Sequence, residues 1–310
     1  MSLARYVDKV KEHNRSLAHK IYKHRTSYLF LAPYAIVFIL FFVAPLVISV
    51  FYSFTYFNIL EPPKFIGLRN YINLLLGDDV FLIAMKNTFI MAAITGPVGY
   101  IAAFLFAWFI NELPRYIRAF VTLVFYAPSI TGGAYMIWAL IFSGDAYGYI
   151  NGFLVNIGIL NQPILWLTDP RYMMPVMIIV ILWMSLGAGF LAFIAGLTTI
   201  DPTLYEAGIV DGISNRWQEL WYITLPNMKG MLMFGAVMAI TQSFGVADVT
   251  IILAGFPSTD YAVHTVVNHL IDYGSIRFEM GYASAIATLL FLTMIVCNAV
   301  IQKLLKRVGT

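Results

Sequence analysis

The chain has 310 residues and a formal net charge of +3; 60% of its residues are apolar and only 11% are charged. Soluble domains carry about 25% charged residues, so composition excludes a pair of water-soluble globular domains, and the apolar content excludes a disordered chain. A disulfide-stapled secreted domain is excluded because Cys297 is the only cysteine.

In chain order, residues 1–27 come first as a basic segment containing Arg5, Lys9, Lys11, Arg15, Lys20, Lys23 and Arg25. Leu3, Tyr6, Val7, Val10, Leu17 and Ile21 fall roughly on one side of a helix. Two readings stand: a helix lying on an anionic membrane surface, or a solvated basic tail that sets topology. The polar lead is too long for a secretory signal, and the apolar run behind it exceeds the usual ~7–15 residues, so the first apolar helix is expected to be retained.

From there, long charge-free stretches alternate with short charged clumps. A bilayer-spanning helix needs about 20 mostly apolar residues. Spans are predicted at 29–53, 88–110, 119–142, 173–198, 230–254 and 281–302. Buried core helices of a soluble protein would show polar faces, and a β-barrel would show short alternating strands. The expected fold is an all-α integral membrane protein with six transmembrane helices across 28–310. No convincing repeat relates the first three spans to the last three.

Orientation follows from the cations. Arg115, Arg118, Arg216, Lys229, Lys303, Lys306 and Arg307 share a side with the basic N-terminus, whereas Lys64, Arg69, Lys86, Arg171 and Arg277 lie on the other. The positive-inside rule then places both termini in the cytoplasm of a cell membrane.

Much chemistry is missing. The sequence has no G-x-x-x-x-G-K-[ST], no H-E-x-x-H and no G-x-S-x-G. No catalytic residue, cofactor site or metal site is expected on the chain, and nothing points to nucleic acid. His264 and His269, five apart in an outer loop, lack neighbouring cysteines and a dense carboxylate set, which makes them poor metal candidates. Asp248 is the one ionisable group inside a helix-length apolar segment, and a charge at mid-bilayer costs about 2.5–3.5 kcal/mol on insertion scales. One such group is few for a proton relay, although sodium sites can be built from carbonyls and hydroxyls.

The connector between the fourth and fifth spans, 199–229, carries the most information. Asp201 is placed to cap a helix with Pro202 at its first position; Thr203 and Glu206 offer a second capping register. Ala207 and Gly208 leave one face with little side chain, so another backbone can come close. Asp211-Gly212 supplies a stop. A second helical stretch with Trp217, Leu220, Trp221 and Ile223 follows, which Leu225-Pro226 is expected to end. A structured loop this long suggests a docking surface.

At these residues the sequence resembles the membrane subunits of binding-protein-dependent ABC importers, whose signature is E-A-A-x-x-x-G and then, after about nine residues, I-x-L-P. Here it runs Glu206-Ala207-Gly208, Asp211-Gly212 and Ile223-Thr224-Leu225-Pro226, with Gly208 in place of Ala and one extra residue before Ile223, where a bulged turn at Ile213-Ser214-Asn215 is expected. Gly67-Leu68-Arg69-Asn70-Tyr71, Asn87-Thr88, Gly148-Tyr149-Ile150-Asn151, Trp166-Leu167 and Met280-Gly281-Tyr282-Ala283 are similar, in order and spacing, to the carbohydrate-uptake branch.

The resemblance implies a six-helix permease subunit paired with a second, usually different, permease chain. It also implies two ATPase subunits that hold ATP and magnesium, and an extracytoplasmic solute-binding protein. Glu206, Ala207, Gly208, Asp211, Gly212, Leu225 and Pro226 would then form the ATPase-coupling loop. Polar and aromatic residues of the spans supply substrate-pathway candidates: Gln242, Asp248, Tyr126, Tyr135, Trp183 and Tyr282. The competing readings are an ion-coupled secondary carrier, an importer subunit for a non-sugar solute, a structural membrane subunit and an exporter half.

Overall fold

The computed structural model describes residues 23–305. The expected surface helix in the basic N-terminal segment falls largely outside the described residues.

Apolar runs become long helices because lipid offers the backbone no partner and each segment must satisfy its own N–H and C=O groups. Five helical segments are long and apolar enough to cross a membrane: α1 (Arg25–Tyr52), α3 (Asp79–Asn111), Pro170–Thr198, Lys229–Ala254 and α14 (Met280–Leu305). A bent pair, α4 (Arg115–Ile130) and α5 (Tyr135–Ile141), turned by 85° at its break, stands where the third span was expected. Ahead of α3 lie a two-residue hairpin, β1 (Thr55–Tyr56) with β2 (Lys64–Phe65), and the short α2 (Arg69–Leu76). The second span begins about nine residues earlier than the charge gaps suggested, because Asp78 caps it by accepting the Phe81 N–H at 2.9 Å.

Three expected continuous helices are interrupted. Residues 131–134 separate α4 from α5. Residues 184–187 separate α7 (Pro170–Trp183) from α8 (Ala188–Thr198), and 245–247 separate α11 (Lys229–Phe244) from α12 (Asp248–Ala254). Glycine weakens the helix at each place: Gly132-Gly133, Gly187 and Gly245. Non-helical backbone at membrane depth is tolerated only where protein or a cavity surrounds it.

The centre of the molecule is α3 packed against α8 and α11. Phe104, Phe190, Phe193, Leu197, Met228 and Leu232 form its core. The helices approach at small residues, as expected where lipid supplies no hydrophobic drive between helices. A Cβ at Gly235 would overlap the Phe193 ring, and one at Gly189 would sit 3.5 Å from Gly235. By contrast, α1 buries none of its residues within the chain.

The connectors at the end of the bundle opposite the 199–229 loop are fastened by buried amides and hydroxyls. Asn70 donates to the Ser53 and Thr55 carbonyls at 2.9 Å each. Asn87 donates to the Tyr261 and His264 carbonyls, and the Val266 N–H donates to the Thr88 hydroxyl. Asn151, fully buried, donates to the Ser143, Asp145 and Ile164 carbonyls and accepts from the Trp166 indole N–H. Several connector residues that carry the family resemblance are therefore structural fasteners.

Candidate functional site

The 199–229 loop folds as two short helices. Asp201 caps α9 (Pro202–Val210) by accepting the Thr203 N–H at 3.0 Å; the Thr203–Glu206 register is not used. At its far end the Ile213 N–H donates to the Gly208 carbonyl (2.9 Å) and the Gly212 N–H to that of Ile209 (3.2 Å). This is the paired hydrogen-bond pattern that closes a helix over a left-handed residue, and Gly212 has φ +95°. The turn through 213–215 falls at the expected bulge. α10, 216–227, then starts with Asn215 accepting the Gln218 N–H. It passes through a π-helical stretch at Leu220–Thr224 and continues through Pro226 to Asn227. The expectation that Leu225-Pro226 ends this helix is corrected: the wide turn ahead of Pro226 accommodates its missing N–H.

Gly208 also has a different role from the one expected. It is buried, and a Cβ there would sit 2.7 Å from Ile223 Cδ1 and 3.0 Å from Ile213 Cδ1. Its small size serves packing of the loop on itself, because α9 lies against α10 through this position. Glu206, Ala207, Asp211 and Gly212 are exposed, and Leu225 and Pro226 are half-buried. The outward surface is apolar at Leu204, Ile209 (63% exposed) and Val210 (87%).

The loop is held to the ends of the spans. Trp217 packs on Trp108 of α3, ring centroids 5.3 Å apart. The Arg216 guanidinium bridges Glu112 (2.7 Å) and Glu219 (2.8 Å), and the Tyr205 and Thr224 hydroxyls share a 3.0 Å hydrogen bond. Exposed ion pairs contribute about 0–1 kcal/mol. Burial of Leu220 and Met228 in the central core, at roughly 1.5–3 kcal/mol each, holds the loop more firmly.

At the helix breaks a cavity of about 380 Å³ opens, lined by Met184 and Ser185, by Gly245, Val246 and Ala247, and by Ser129 and Tyr135 on either side of the third break. Gln242, Asp248 and Tyr135 all face it. A Cβ at Gly187 would sit 2.7 Å from Gln242 Nε2, so the bare backbone there gives the amide its room. The structure does not bring the other pathway candidates to this cavity. Tyr126 packs against the central core, Trp183 lies edge-on to Trp138 at 5.4 Å, and Tyr282 bonds Asp78 elsewhere in the fold. Thr95, Tyr100 and Ser185 line the cavity and were not singled out in the sequence. Polarity in the middle of an apolar run was the available signal.

At the end of the bundle opposite the 199–229 loop the fold gathers a cluster from distant segments. The Tyr282 hydroxyl donates to Asp78 at 2.9 Å, and His269 Nε2 lies 3.0 Å from the same carboxylate oxygen. His264 stands edge-on to His269. Sequence spacing alone left His269 without a carboxylate; the chain supplies Asp78 from 191 residues away. Burial pushes the Asp78 carboxyl up, but the Phe81 N–H, the Tyr282 hydroxyl and His269 outweigh it and hold it low. Burial pushes His269 down despite Asp78, and pushes His264 down to about 4. At neutral pH the neutral His269 ring therefore donates its Nε2–H to an ionised Asp78.

Residues 95–309 match the family described as binding-protein-dependent transport system inner membrane component. The chain belongs to this family. It is a multi-pass membrane component of a transport system. Among its relatives is the "Probable ABC transporter permease protein YesP" of Bacillus subtilis (strain 168), 34% identical over 84% of each chain. The "Arabinooligosaccharides transport system permease protein AraP" of the same organism is 30% identical over 91% of this chain and 89% of its own. A subunit of a bacterial ABC transporter that imports the acidic polysaccharide alginate shares the fold, with TM-score 0.75 and 24% identity over 95% of this chain and 100% of that one.

Proposed function

We propose that the chain is one of two paired membrane subunits of an ATP-driven saccharide importer, with α9 the element that docks on a separate ATPase subunit. Both termini then face the cytoplasm, ATP and magnesium sit on the ATPases, and a solute-binding protein delivers cargo from the other side. The permease relatives support the class, and the oligosaccharide named for AraP supports the cargo.

One observation carries the mechanism. The two helices that flank the loop, α8 and α11, are the same two whose far ends form breaks at the cavity. They pack on each other along the glycine contacts. A displacement of α9 by an ATPase is passed along α8 and α11 as rigid rods to the backbone lining the cavity. A bistable packing of such rods converts a loop movement into alternating access.

The test is uptake of labelled arabinotriose into proteoliposomes holding the complete complex. Uptake is expected to require internal ATP and the external binding protein. Uptake driven by a sodium or proton gradient without ATP would instead identify a secondary carrier.

A further inference from the structure

The cavity at the helix breaks has one carboxylate side chain on its wall. Among the described residues that line it, Asp248 is the only acid, and no Lys, Arg or His faces the space. Three of the neighbouring hydroxyls donate to the chain's own carbonyls, Thr95 to that of Met91, Ser129 to that of Tyr126 and Tyr100 to that of Leu232. The side chains of Asp248 and Gln242 have no hydrogen-bond or ion-pair partner among the described residues. Gln242 therefore offers the cavity free amide donors as well as an acceptor, and Asp248 is the one carboxylate on its wall.

Saccharide hydroxyls bring donors to such a lining. A uronic or aldonic carboxylate brings a like charge, which a cavity walled by protein screens less than bulk water does. We propose that this cavity passes neutral saccharides and rejects sugar acids, and that Asp248 sets this charge selection. The proposal deepens the reading of the cavity as the import pathway and rests on it.

The experiment compares arabinotriose with its aldonic acid, each pre-loaded on the binding protein and supplied at equal, saturating loaded concentration, so that selection by that protein is removed. The full complex in proteoliposomes is expected to import the neutral sugar at least about tenfold faster, the factor given by about 1.4 kcal/mol of repulsion. Asp248→Asn should bring the ratio to within about twofold by raising uptake of the acid, and Asp248→Glu should keep the wild-type ratio. Gln242→Glu, which adds a second carboxylate to the same wall, should widen the ratio and gives an independent reading if Asp248→Asn assembles poorly. Equal uptake of both sugars by the wild type, or a ratio unchanged in Asp248→Asn and Gln242→Glu, overturns the proposal. Absence of ATP-dependent arabinotriose uptake by the wild type is a distinct result: it overturns the saccharide reading, and this inference with it.

Discussion

Among single residues, His264 is the clearest case of a polar side chain that its surroundings do not use. Only 2% of it is exposed, and its two ring nitrogens meet no hydrogen-bond partner among the described residues. Its lowered pKa means that the neutral ring is the form the fold accepts. The unfolded chain binds a proton near pH 6.5 and the folded one near 4, so the contribution is full above about pH 6.5 and is lost as pH falls toward 4. That window is worth on the order of 3 kcal/mol. The melting temperature of the complex should therefore drop between pH 7.5 and 5. His264→Phe should shrink that drop without destabilising the protein at pH 7.5, because removing both unpartnered nitrogens leaves nothing unsatisfied. An unchanged drop in the variant would assign the acid sensitivity to other groups. No property of the sequence at 264 announced this environment; it arises where the 255–279 connector is folded over Asn87 and Thr88.

For α9, sequence and structure agree on the ends and differ on the buried face; for α10 they differ on where it stops. Asp201 and Gly212 were legible because capping and positive φ impose local chemistry that spacing reveals. Gly208 was misread because a missing side chain looks the same whether it admits a partner or its own chain. The breaks in the spans were hidden for a related reason: hydropathy averages over about 20 residues and does not register a three-residue interruption such as 245–247. The two glycines now make separate predictions. Gly208→Ala meets only terminal methyl groups of Ile213 and Ile223, which can turn away, so coupled uptake should persist. Gly208→Trp should separate α9 from α10 and abolish it. Gly212→Val faces no crowding but places a β-branched residue at φ +95°, which costs roughly 1–2 kcal/mol; it should lower ATP-coupled uptake by misaiming α9 while the membrane core stays folded. Coupled uptake in Gly208→Trp equal to wild type would show that α9 and α10 need not stay packed.

Across the whole molecule, the decisive relation is between the surface of the 199–229 loop and a cavity among the spans, joined by two helices. The cavity exists because three helix breaks converge, the loop is rigid because α3 holds it through Trp108 and the central core, and the exposed apolar positions of α9 have no other role inside the chain. These parts form one device only if an ATPase grips α9. Co-purification of the ATPase subunits with the membrane complex, measured for Ala207→Asp and Val210→Asp, tests this directly. Both positions are exposed, so neither change disturbs the packing of the loop on itself. The account predicts that the two membrane subunits remain folded and paired while the ATPase is lost and ATP-driven uptake falls to background. ATPase retained at wild-type level, with uptake still coupled to its turnover in both variants, would contradict it.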